Sequence, residues 1–577
     1  MRFHAIATDY DGTIAHDGVV DDATVAALER AKKSGRKLIM VTGRELPELK
    51  TVCPRLDLFD LAVVENGAVL YNPQSKETRV LAEPPPEKFA EALRARKVPI
   101  STGHVIVATV EPHHVETLNV IRELGLELQV IFNKGSVMVL PSGVNKATGL
   151  AAALAEFGLS PHNTVGVGDA ENDHAFMRVC ECSAAVANAL PAVKDTADIV
   201  MAGKRGAGVT ELIDKLIADD LSDLKTLARH RLAVGEADDK TELMLDPAGP
   251  GVLVSGTSGS GKSTLTTAVL ERLGDAGYQS LVIDPEGDYT TLEFATQVGT
   301  PSHAPQTSDV TDALKDARRS IVVNLLGVPL ADRPKHFTQL LPAILEEKAR
   351  TGRPHWLVID EAHHMLPAGP ESAALAPLLP DRGILFITVH AGTMEPAVLA
   401  NVEHLLVIGG QPADTIAQFC KATGEKKPKC PAVEGNKLPT GDAMVWHRGD
   451  PTAVVVHTHR PRTERKRHSR KYAEGNLGAE RSFYFRGPEG KLNLKASNLF
   501  LFLQMGDGVD DETWEHHRAA GDFSKWARTQ IKDAELADEL EGIETGDADP
   551  AESRAAVRAA VVSRYTLPAD APSGIVD

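Results

Sequence analysis

The stretch "GTSGSGKST", at residues 256–264, limits the fold of this chain more than any other. It satisfies the pattern G-x-x-x-x-G-K-[ST], follows the apolar run "GVLVSG" and precedes the helix-forming run "TLTTAVLERLG". In that strand–loop–helix setting, backbone N–H groups of the loop cradle phosphate and the lysine reaches the β- and γ-phosphates. The pattern therefore predicts an α/β domain that binds ATP, and it argues against a flexible Gly/Ser linker.

A second apolar run, "HWLVIDEAHH", ends on Asp360 and Glu361. We expect Asp360 and Ser263 to hold Mg²⁺, and Glu361 to polarise the water that attacks the γ-phosphate. This pairing favours ATP hydrolysis over kinase chemistry. The expected ATP-binding residues are Gly256, Thr257, Ser258, Gly259, Ser260, Gly261, Lys262, Ser263 and Thr264.

The N-terminal stretch "ATDYDGTI" indicates a different phosphate chemistry. Asp9 and Asp11 follow a predicted strand, so both carboxylates project from its carboxyl end, where open α/β sheets bind ligands. One carboxylate can attack a phosphoryl group, while the other protonates the leaving oxygen and then activates water. Such crowded anions need a cation, and Mg²⁺ prefers carboxylate, phosphate and water ligands. Taken alone, the motif also fits an acidic turn after a strand.

Further motifs follow in order and argue against the acidic turn: "VTGR", "NKATGL" and "VGVGDAENDHAFM". The set resembles the haloacid dehalogenase superfamily, and "ENGA" with "GDAENDHAFM" resembles its Cof-type branch. The resemblance implies Asp9 as nucleophile and Asp11 as general acid/base. Implied phosphate-binding residues are Thr42, Gly43, Lys146 and Asn172. The implied Mg²⁺ site draws on Asp9, Asp11, Asp169 and Asp173, and Asp173 also orients Lys146.

The central motifs, with "LVIDPEGDY" and "DRGILFITVHAGT", resemble the HerA/FtsK-like ATPases over about 230–455. This resemblance implies a homo-oligomer, a hexameric ring, in which an arginine reaches into a neighbouring site. Arg382 and Arg353 are the arginine-finger candidates, and both also fit ordinary surface arginines. Thr388 and His390 lie where a γ-phosphate sensor would, or are simply polar residues at a strand end.

A chain of 577 residues is too long for one core, and its alternating strand and helix patterns predict an α/β protein. The expected order is a Rossmann-like phosphatase domain with a small cap, a RecA-like P-loop domain and a small helical domain. The boundaries are 1–215 (cap about 83–143), a helical connector at 216–231, the ATPase at 232–460, a basic linker with the helical domain at 461–545 and a partly disordered tail at 546–577.

The composition limits the kinds of partner and the cellular compartment that we expect for this chain. A net charge of −18 disfavours a global nucleic-acid footprint, although a ring can hold a basic pore. No run approaches the ~20 apolar residues that cross a bilayer, and no signal-like run opens the chain, so we expect a cytoplasmic protein without a membrane partner. Five scattered cysteines predict reduced thiols.

Three functions remain open from sequence. The favoured one is a Mg²⁺-dependent phosphatase for a phosphosugar or other phosphorylated metabolite, fused to a ring-forming ATPase. The second is a nucleic-acid motor whose phosphatase domain acts on nucleic-acid ends or nucleotides. The third is a kinase–phosphatase pair with Asp284 as kinase base.

Overall fold

A computed structural model describes the chain except for residues 134, 223, 225–227, 258, 301, 463–476, 478–480, 532 and 566–577. Ser258 of the phosphate-binding loop and most of the basic run after residue 462 therefore lie outside the described residues. Within the described part, no helix has both the length and the apolar content needed to cross a bilayer.

The first α/β unit is a mainly parallel sheet with helices packed on it. Its strands, with those of the cap, are β1 (Ala5–Thr8), β2 (Lys37–Val41), β3 (Leu61–Val64), β4 (Val69–Tyr71), β5 (Thr78–Val80), β6 (Ser101–Thr102), β7 (Val107–Val110), β8 (Leu128–Asn133), β9 (Ser136–Pro141), β10 (Thr164–Gly168), β11 (Cys182–Ala185) and β12 (Ile199–Val200). Its helices are α1 (Asp22–Lys33), α2 (Leu46–Val52), α3 (Glu87–Ala95), α4 (His114–Glu123), α5 (Lys146–Glu156), α6 (His174–Val179), α7 (Pro191–Thr196) and α8 (Gly206–Asp219).

The sheet order is β12-β11-β10-β1-β2-β3-β4-β5, parallel from β12 to β3 and antiparallel beyond. The neighbours β1, β2 and β10 therefore end at one edge, which brings Asp9, Thr42 and Asp169 together. Between β5 and α5, the strands β6 to β9 form a separate antiparallel sheet backed by α3 and α4. This unit has its own core around Phe89, Leu93 and Val139, and it lies in the range expected for the cap.

The second α/β unit is built around the phosphate-binding loop. Its strands are β13 (Leu232–Ala237), β14 (Glu242–Leu245), β15 (Gly251–Gly256), β16 (Ser280–Asp284), β17 (Ala295–Val298), β18 (Ser320–Asn324), β19 (Trp356–Ile359), β20 (Ile384–Thr388), β21 (Val402–Ile408), β22 (Asp442–His447) and β23 (Val454–Thr458). Its helices are α9 (Lys262–Asp275), α10 (Thr307–Leu314), α11 (Arg333–Thr351), α12 (Ala362–Met365), α13 (Pro370–Leu375), α14 (Pro396–Leu399) and α15 (Pro412–Thr423).

In this sheet the order is β14-β13-β23-β22-β21-β15-β20-β19-β16-β18-β17. The strands from β21 to β17 are parallel, whereas β22, β23, β13 and β14 extend the sheet in antiparallel fashion. One strand, β20, separates the loop strand β15 from β19, so the carboxyl ends of all three lie side by side. The antiparallel extension was not predicted from the sequence.

The C-terminal domain is small and mostly helical, as expected. Its elements are β24 (Phe483–Phe485), β25 (Leu494–Ala496), α16 (Leu499–Gly508), α17 (Asp511–Ala519), α18 (Asp522–Trp526), a π-helical turn (Ala527–Ile531), α19 (Ala534–Glu544) and α20 (Pro550–Arg564). Aromatic rings, among them Phe483, Phe502 and Trp514, fill its core. The His517 ring accepts hydrogen bonds from the backbone N–H groups of Arg486 and Gly487 and is largely buried.

The structure differs from the sequence expectation at two boundaries. Within the tail expected to be partly disordered over 546–577, α20 (Pro550–Arg564) buries Val557, Ala560 and Val561 in the C-terminal core, because its alanine-rich run has an apolar face, and residues 566–577 lie outside the described residues. The connector was expected to be helical over 216–231. Instead α8 ends at Asp219, because Asp220 takes a left-handed backbone conformation with φ of 57°, and only a short 3₁₀ turn (Ala228–His230) follows among the described residues.

A buried carboxylate joins the cap to the first domain. Glu65 is fully buried and its side chain accepts hydrogen bonds from the backbone N–H groups of His104 (2.8 Å), Val105 (2.8 Å) and Ile106 (3.0 Å). These amides directly precede β7, whose residues Ala108, Thr109 and Val110 line the same cavity as Asp9. The "ENGA" motif thus has a physical role in holding the cap.

We predict that Glu65→Ala loosens the cap without unfolding the domain. The change leaves buried N–H groups unpaired, at a cost of roughly 1–3 kcal/mol each. Amide hydrogen exchange of residues 103–110 should accelerate at least tenfold, while β1 and β10 keep their protection. Glu77→Ala, at an exposed position of the same domain, is the control. Unchanged exchange in Glu65→Ala would refute this anchoring role.

Candidate active sites

The first site is a buried chain of charges at the carboxyl ends of β1 and β10. Lys146, the first residue of α5, is set by Asn145, whose side chain caps that helix. The Lys146 ammonium lies 2.5 Å from Asp9 Oδ1 and 2.6 Å from Asp173 Oδ1. The other oxygen of Asp173 accepts hydrogen bonds from the N–H groups of Asp169 (2.8 Å) and Ala170 (2.9 Å). Asp173 is therefore held in one position and in turn positions Lys146.

The electrostatics of this site leave negative charge in surplus. Burial, and then the neighbouring Asp173, raise the pKa of Asp9 to about 7 in spite of Lys146. Burial opposes the charge on Lys146, yet Asp173 and Asp9 raise its pKa. Oxygens of Asp9, Asp169 and Asp173 lie within 4.8 Å of one another. Because Asp173 is committed to Lys146 and two amides, Asp9 and Asp169 are the carboxylates that fit a Mg²⁺ ion.

Asp11 faces a partner that the sequence did not indicate. The Arg44 guanidinium holds it with two hydrogen bonds, Nε to Oδ2 at 2.6 Å and Nη2 to Oδ1 at 2.8 Å. Arg44 belongs to the "VTGR" motif, of which the sequence analysis used only Thr42 and Gly43. This pairing sets Asp11 apart from the other carboxylates of the expected Mg²⁺ set, because its two oxygens already bind a cation. The sequence signal for this contact was a cationic residue at position 44, directly after Thr42 and Gly43.

A cavity of about 560 Å³ lies over these residues, between the first domain and the cap. The cap contributes neutral polar side chains, Ser101, Thr109, Asn133 and Ser136, together with Met138. Asn172 donates from Nδ2 to Asn66 Oδ1 (3.1 Å), and its buried Oδ1 has no hydrogen-bond partner among the described residues. The cavity suits a small polar ligand.

The second site surrounds the phosphate-binding loop. Gly259 and Gly261 have φ values of 76° and 100°, which only glycine adopts readily, so the loop conformation needs both. The Lys262 ammonium donates to the carbonyls of Gly256 (3.0 Å) and Thr257 (3.3 Å), and burial lowers its pKa. The lysine thus lies across the loop, in the space that phosphate would take.

Acidic residues converge on Ser263 at this site. Its hydroxyl donates to Asp288 Oδ2 at 2.7 Å. Burial, and then Asp288, raise the pKa of Asp360 well above its usual range and that of Asp284 to about 7. Such mutual repulsion fits a hard cation at Ser263, Asp360 and Asp288. Asp288 was missed from sequence, although it lies in the quoted "DPEGDY" stretch.

The sensor candidates lie beside Glu361. Thr388 ends β20, and its hydroxyl lies 3.1 Å from His363 Nδ1, which in turn lies 3.3 Å from Glu361 Oε2. His390 donates its backbone N–H to Thr388 Oγ1 at 3.0 Å. Burial, and then the neighbouring imidazoles His364 and His390, lower the pKa of His363 to about 4, so this ring is neutral.

Two sequence hypotheses fail on burial. Arg353 is fully buried and donates to the carbonyls of Gly158 and Leu314 and to Gln279 Oε1, so it cannot reach a neighbouring subunit as an arginine finger. Asp284 is also fully buried and accepts N–H groups from Gly287, Asp288 and Tyr289, so it closes a turn and is unavailable as a kinase base.

Arg382 precedes β20, at the sheet edge opposite the phosphate-binding loop. Its exposed guanidinium makes one long hydrogen bond, 3.4 Å, to the Ala248 carbonyl. It stays an untested candidate for contact with another subunit. Arg462 lies in the basic linker expected from residue 461 and pairs with Glu271 and Asp275 of its own chain. The basic residues between 463 and 471 lie outside the described part.

Comparison with known proteins agrees with this geometry. A family model described as haloacid dehalogenase-like hydrolase matches residues 6–104 and 122–213, and an AAA ATPase domain model matches residues 242–387. Phosphoglycolate phosphatase 2 of Saccharolobus solfataricus is 30% identical over 218 residues, which are 37% of this chain and 92% of that protein. Phosphoglycolate phosphatase of Methanothermobacter thermautotrophicus is 29% identical over 222 residues, 37% of this chain and 98% of that protein.

A solved structure of a haloacid dehalogenase-like hydrolase from Bacteroides thetaiotaomicron aligns with 37% of this chain and 99% of its own, at 19% identity and a TM-score of 0.33. The chain belongs to the haloacid dehalogenase-like hydrolases through its first domain. It joins a phosphatase of this type to a P-loop ATPase of the AAA class, and it is an enzyme of both kinds. The narrower HerA/FtsK resemblance stays a prediction.

We predict that Lys146→Met destabilises the first domain by about 3–5 kcal/mol, because it leaves buried carboxylates without their cation. Lys37→Met removes a lysine that pairs with Asp60 at the surface, and should cost at most about 1 kcal/mol. Scanning calorimetry on both variants checks the difference. Added Mg²⁺ should raise the melting temperature of Lys146→Met more than that of the wild type; equal losses in the two variants would contradict the prediction.

Proposed function

We propose that the chain is a bifunctional hydrolase, a Mg²⁺-dependent phosphatase for small phosphorylated metabolites fused to an ATP-hydrolysing, ring-forming ATPase of the HerA/FtsK type. The observation that carries the phosphatase assignment is the Asp9–Lys146–Asp173 chain of charges beneath the capped cavity. The 560 Å³ cavity suits a phosphosugar or a phosphorylated small acid. Phosphoglycolate is a candidate substrate because the two relatives are named phosphoglycolate phosphatases.

In this proposal Asp9 attacks the phosphorus, the bond to the leaving oxygen breaks and an aspartyl-phosphate forms. Lys146, Thr42, Gly43 and Asn172 hold the phosphoryl oxygens, and the unpaired Asn172 Oδ1 faces a hydroxyl or water. Mg²⁺ at Asp9 and Asp169 would neutralise charge on the transferring group. Asp173 acts through Lys146, and Asp11 moves the protons.

Arg44 adds a condition to the role of Asp11. Both oxygens of Asp11 accept hydrogen bonds from the Arg44 guanidinium. Asp11 can therefore carry a proton to a leaving oxygen only after this pair opens. A substrate with a second anionic group would attract Arg44 and release Asp11. The pair therefore links substrate binding to readiness of the acid.

For the ATPase, Lys262 would swing from the loop carbonyls to the β- and γ-phosphates, and Ser263, Asp288 and Asp360 would surround Mg²⁺. Glu361 would orient the attacking water, with Thr388 and His390 near the γ-phosphate. The pairing of Arg462 with acids of its own chain favours an inter-domain role for the start of the basic run over nucleic-acid binding.

The test is a phosphatase panel of phosphoglycolate, sugar phosphates, nucleotides and phosphorylated DNA ends. Asp9→Asn should lower phosphatase turnover at least a thousandfold and leave ATP hydrolysis intact, because only the nucleophile is lost. Lys262→Ala should abolish ATP hydrolysis and keep phosphatase activity. Activity of Asp9→Asn near that of the wild type would refute the phosphatase assignment, and DNA-stimulated ATP hydrolysis would favour the motor.

We further propose that nucleotide binding regulates the phosphatase through the domain junction. There His355 Nε2 lies 3.2 Å from Asn163 Oδ1, and the Arg353 guanidinium holds the Gly158 carbonyl. Asn163 directly precedes β10, which leads to Asp169, and His355 directly precedes β19, which leads to Asp360. A shift of either strand is therefore transmitted to the other domain.

ATP should change the kcat/KM of the wild-type phosphatase at least threefold. Asn163→Ala should lose this response while keeping both basal activities, because it cuts the junction and neither site. Asn72→Ala, a polar change in the turn between β4 and β5 of the first domain, should keep the response. A response unchanged in Asn163→Ala would disprove the route, and one that persists in Lys262→Ala would show that it does not depend on the nucleotide site.

A further inference from the structure

The turn after β19 brings one carboxylate and two imidazoles together. Ligand atoms of Glu361, His363 and His364 all lie within 4.8 Å of one another, and the two imidazole centroids are 4.0 Å apart. The turn achieves this because Glu361 takes a left-handed backbone conformation, with φ of 46°, directly before α12. That conformation is uncommon for a residue other than glycine.

The distance between the carboxylate and imidazole atoms distinguishes this cluster from one held by charge-assisted hydrogen bonds. The distance from Glu361 Oε2 to His363 Nδ1 is 3.3 Å. Charge-assisted hydrogen bonds are about 2.7–2.9 Å long, whereas two ligands at about 2.0–2.1 Å from a tetrahedral ion lie about 3.3 Å apart. At the domain junction, by contrast, Glu181 lies 2.7 Å from both His162 Nδ1 and Tyr278 Oη, so its contacts are hydrogen bonds.

We propose that Glu361, His363 and His364 bind a divalent transition-metal ion of the Zn²⁺ class, at a site separate from the Mg²⁺ position expected at Ser263 and Asp360. Two imidazoles and one carboxylate suit zinc or cobalt, whereas Mg²⁺ prefers oxygen ligands. The site is open to solvent, because His364 is exposed and the Glu361 side chain is 19% exposed. Water completes the coordination.

Such an ion would switch off the ATPase. It would hold the carboxylate of the expected base, Glu361, and it would take the His363 nitrogen that the Thr388 hydroxyl now contacts. This consequence depends on the proposed ATP hydrolysis, whereas metal binding itself does not.

Binding is tested on the full chain, free of any histidine tag and treated with a chelator, by titrating Co²⁺ and following its visible absorption. With Mg²⁺ in excess to fill the expected Mg²⁺ positions, the wild type should bind one equivalent of Co²⁺ that Zn²⁺ displaces, and His364→Gln should weaken this binding at least about tenfold. His447→Gln is the matched control, because His447 and His404 form a separate imidazole pair with Nδ1 atoms 3.3 Å apart. Wild-type affinity in His364→Gln, or loss of the signal in His447→Gln, would overturn the proposed site.

Inhibition is tested by adding Zn²⁺ during ATP hydrolysis. With Mg²⁺ in excess and a chelator selective for Zn²⁺ present, His364→Gln should hydrolyse ATP at the wild-type rate, because His364 takes no part in the proposed chemistry. Once Zn²⁺ is in excess of that chelator, the variant should resist concentrations that inhibit the wild type at least tenfold. Equal inhibition of the two proteins would overturn the switch. Lack of ATP hydrolysis in every protein would reject the proposed ATPase chemistry and leave the Co²⁺ result standing.

Discussion

The contact between His355 and Asn163 fixes how the two catalytic domains face each other. It joins the starts of β19 and β10, so the carboxyl ends of these strands point away from the junction. β10 and β19 have five and four residues, so at about 3.3 Å per residue each active site lies about 13–17 Å from the junction along its own strand. The two strands are thus a direct structural route between the junction and the two sites.

Buried polar contacts reinforce this junction. Glu181 of the first domain binds Arg2, His162 and the Tyr278 hydroxyl of the ATPase domain. Burial opposes its charge, yet the hydrogen bond from His162 and the charge of Arg2 lower the pKa of Glu181. Such a network is stable only with all its members, because the loss of one partner leaves an unpaired charge buried in apolar surroundings. The domains are thus held in a specific orientation by directional contacts, which suits transmission of small strand movements.

Sequence patterns located the strand ends well, because parallel strands gather their carboxyl ends at one edge. Asp9 and Asp169 came together for that reason, as did Asp360 and the loop that leads to Lys262 and Ser263, whereas Lys146 and Asp173 were implied only by the family resemblance. The sequence did not predict features that depend on the direction of a side chain. Examples are the pairing of Arg44 with Asp11, the pairing of Asp288 with Ser263 and the burial of Arg353. The helix α20 was misjudged because an alanine-rich run gives a weak apolar pattern until its partner surface is known.

The two sites differ in how they handle their charges, and this difference has a functional meaning. The phosphatase site carries its own cation, Lys146, locked between Asp9 and Asp173, so its geometry is set before substrate arrives. In the ATPase site, Lys262 is bound to loop carbonyls, while burial and then the charge of Asp288 raise the pKa values of Asp284 and Asp360. Nucleotide and Mg²⁺ would thus rearrange the second site far more than substrate rearranges the first. In the regulation proposed above, the ATPase would therefore be the domain that changes state, and the phosphatase the domain that responds.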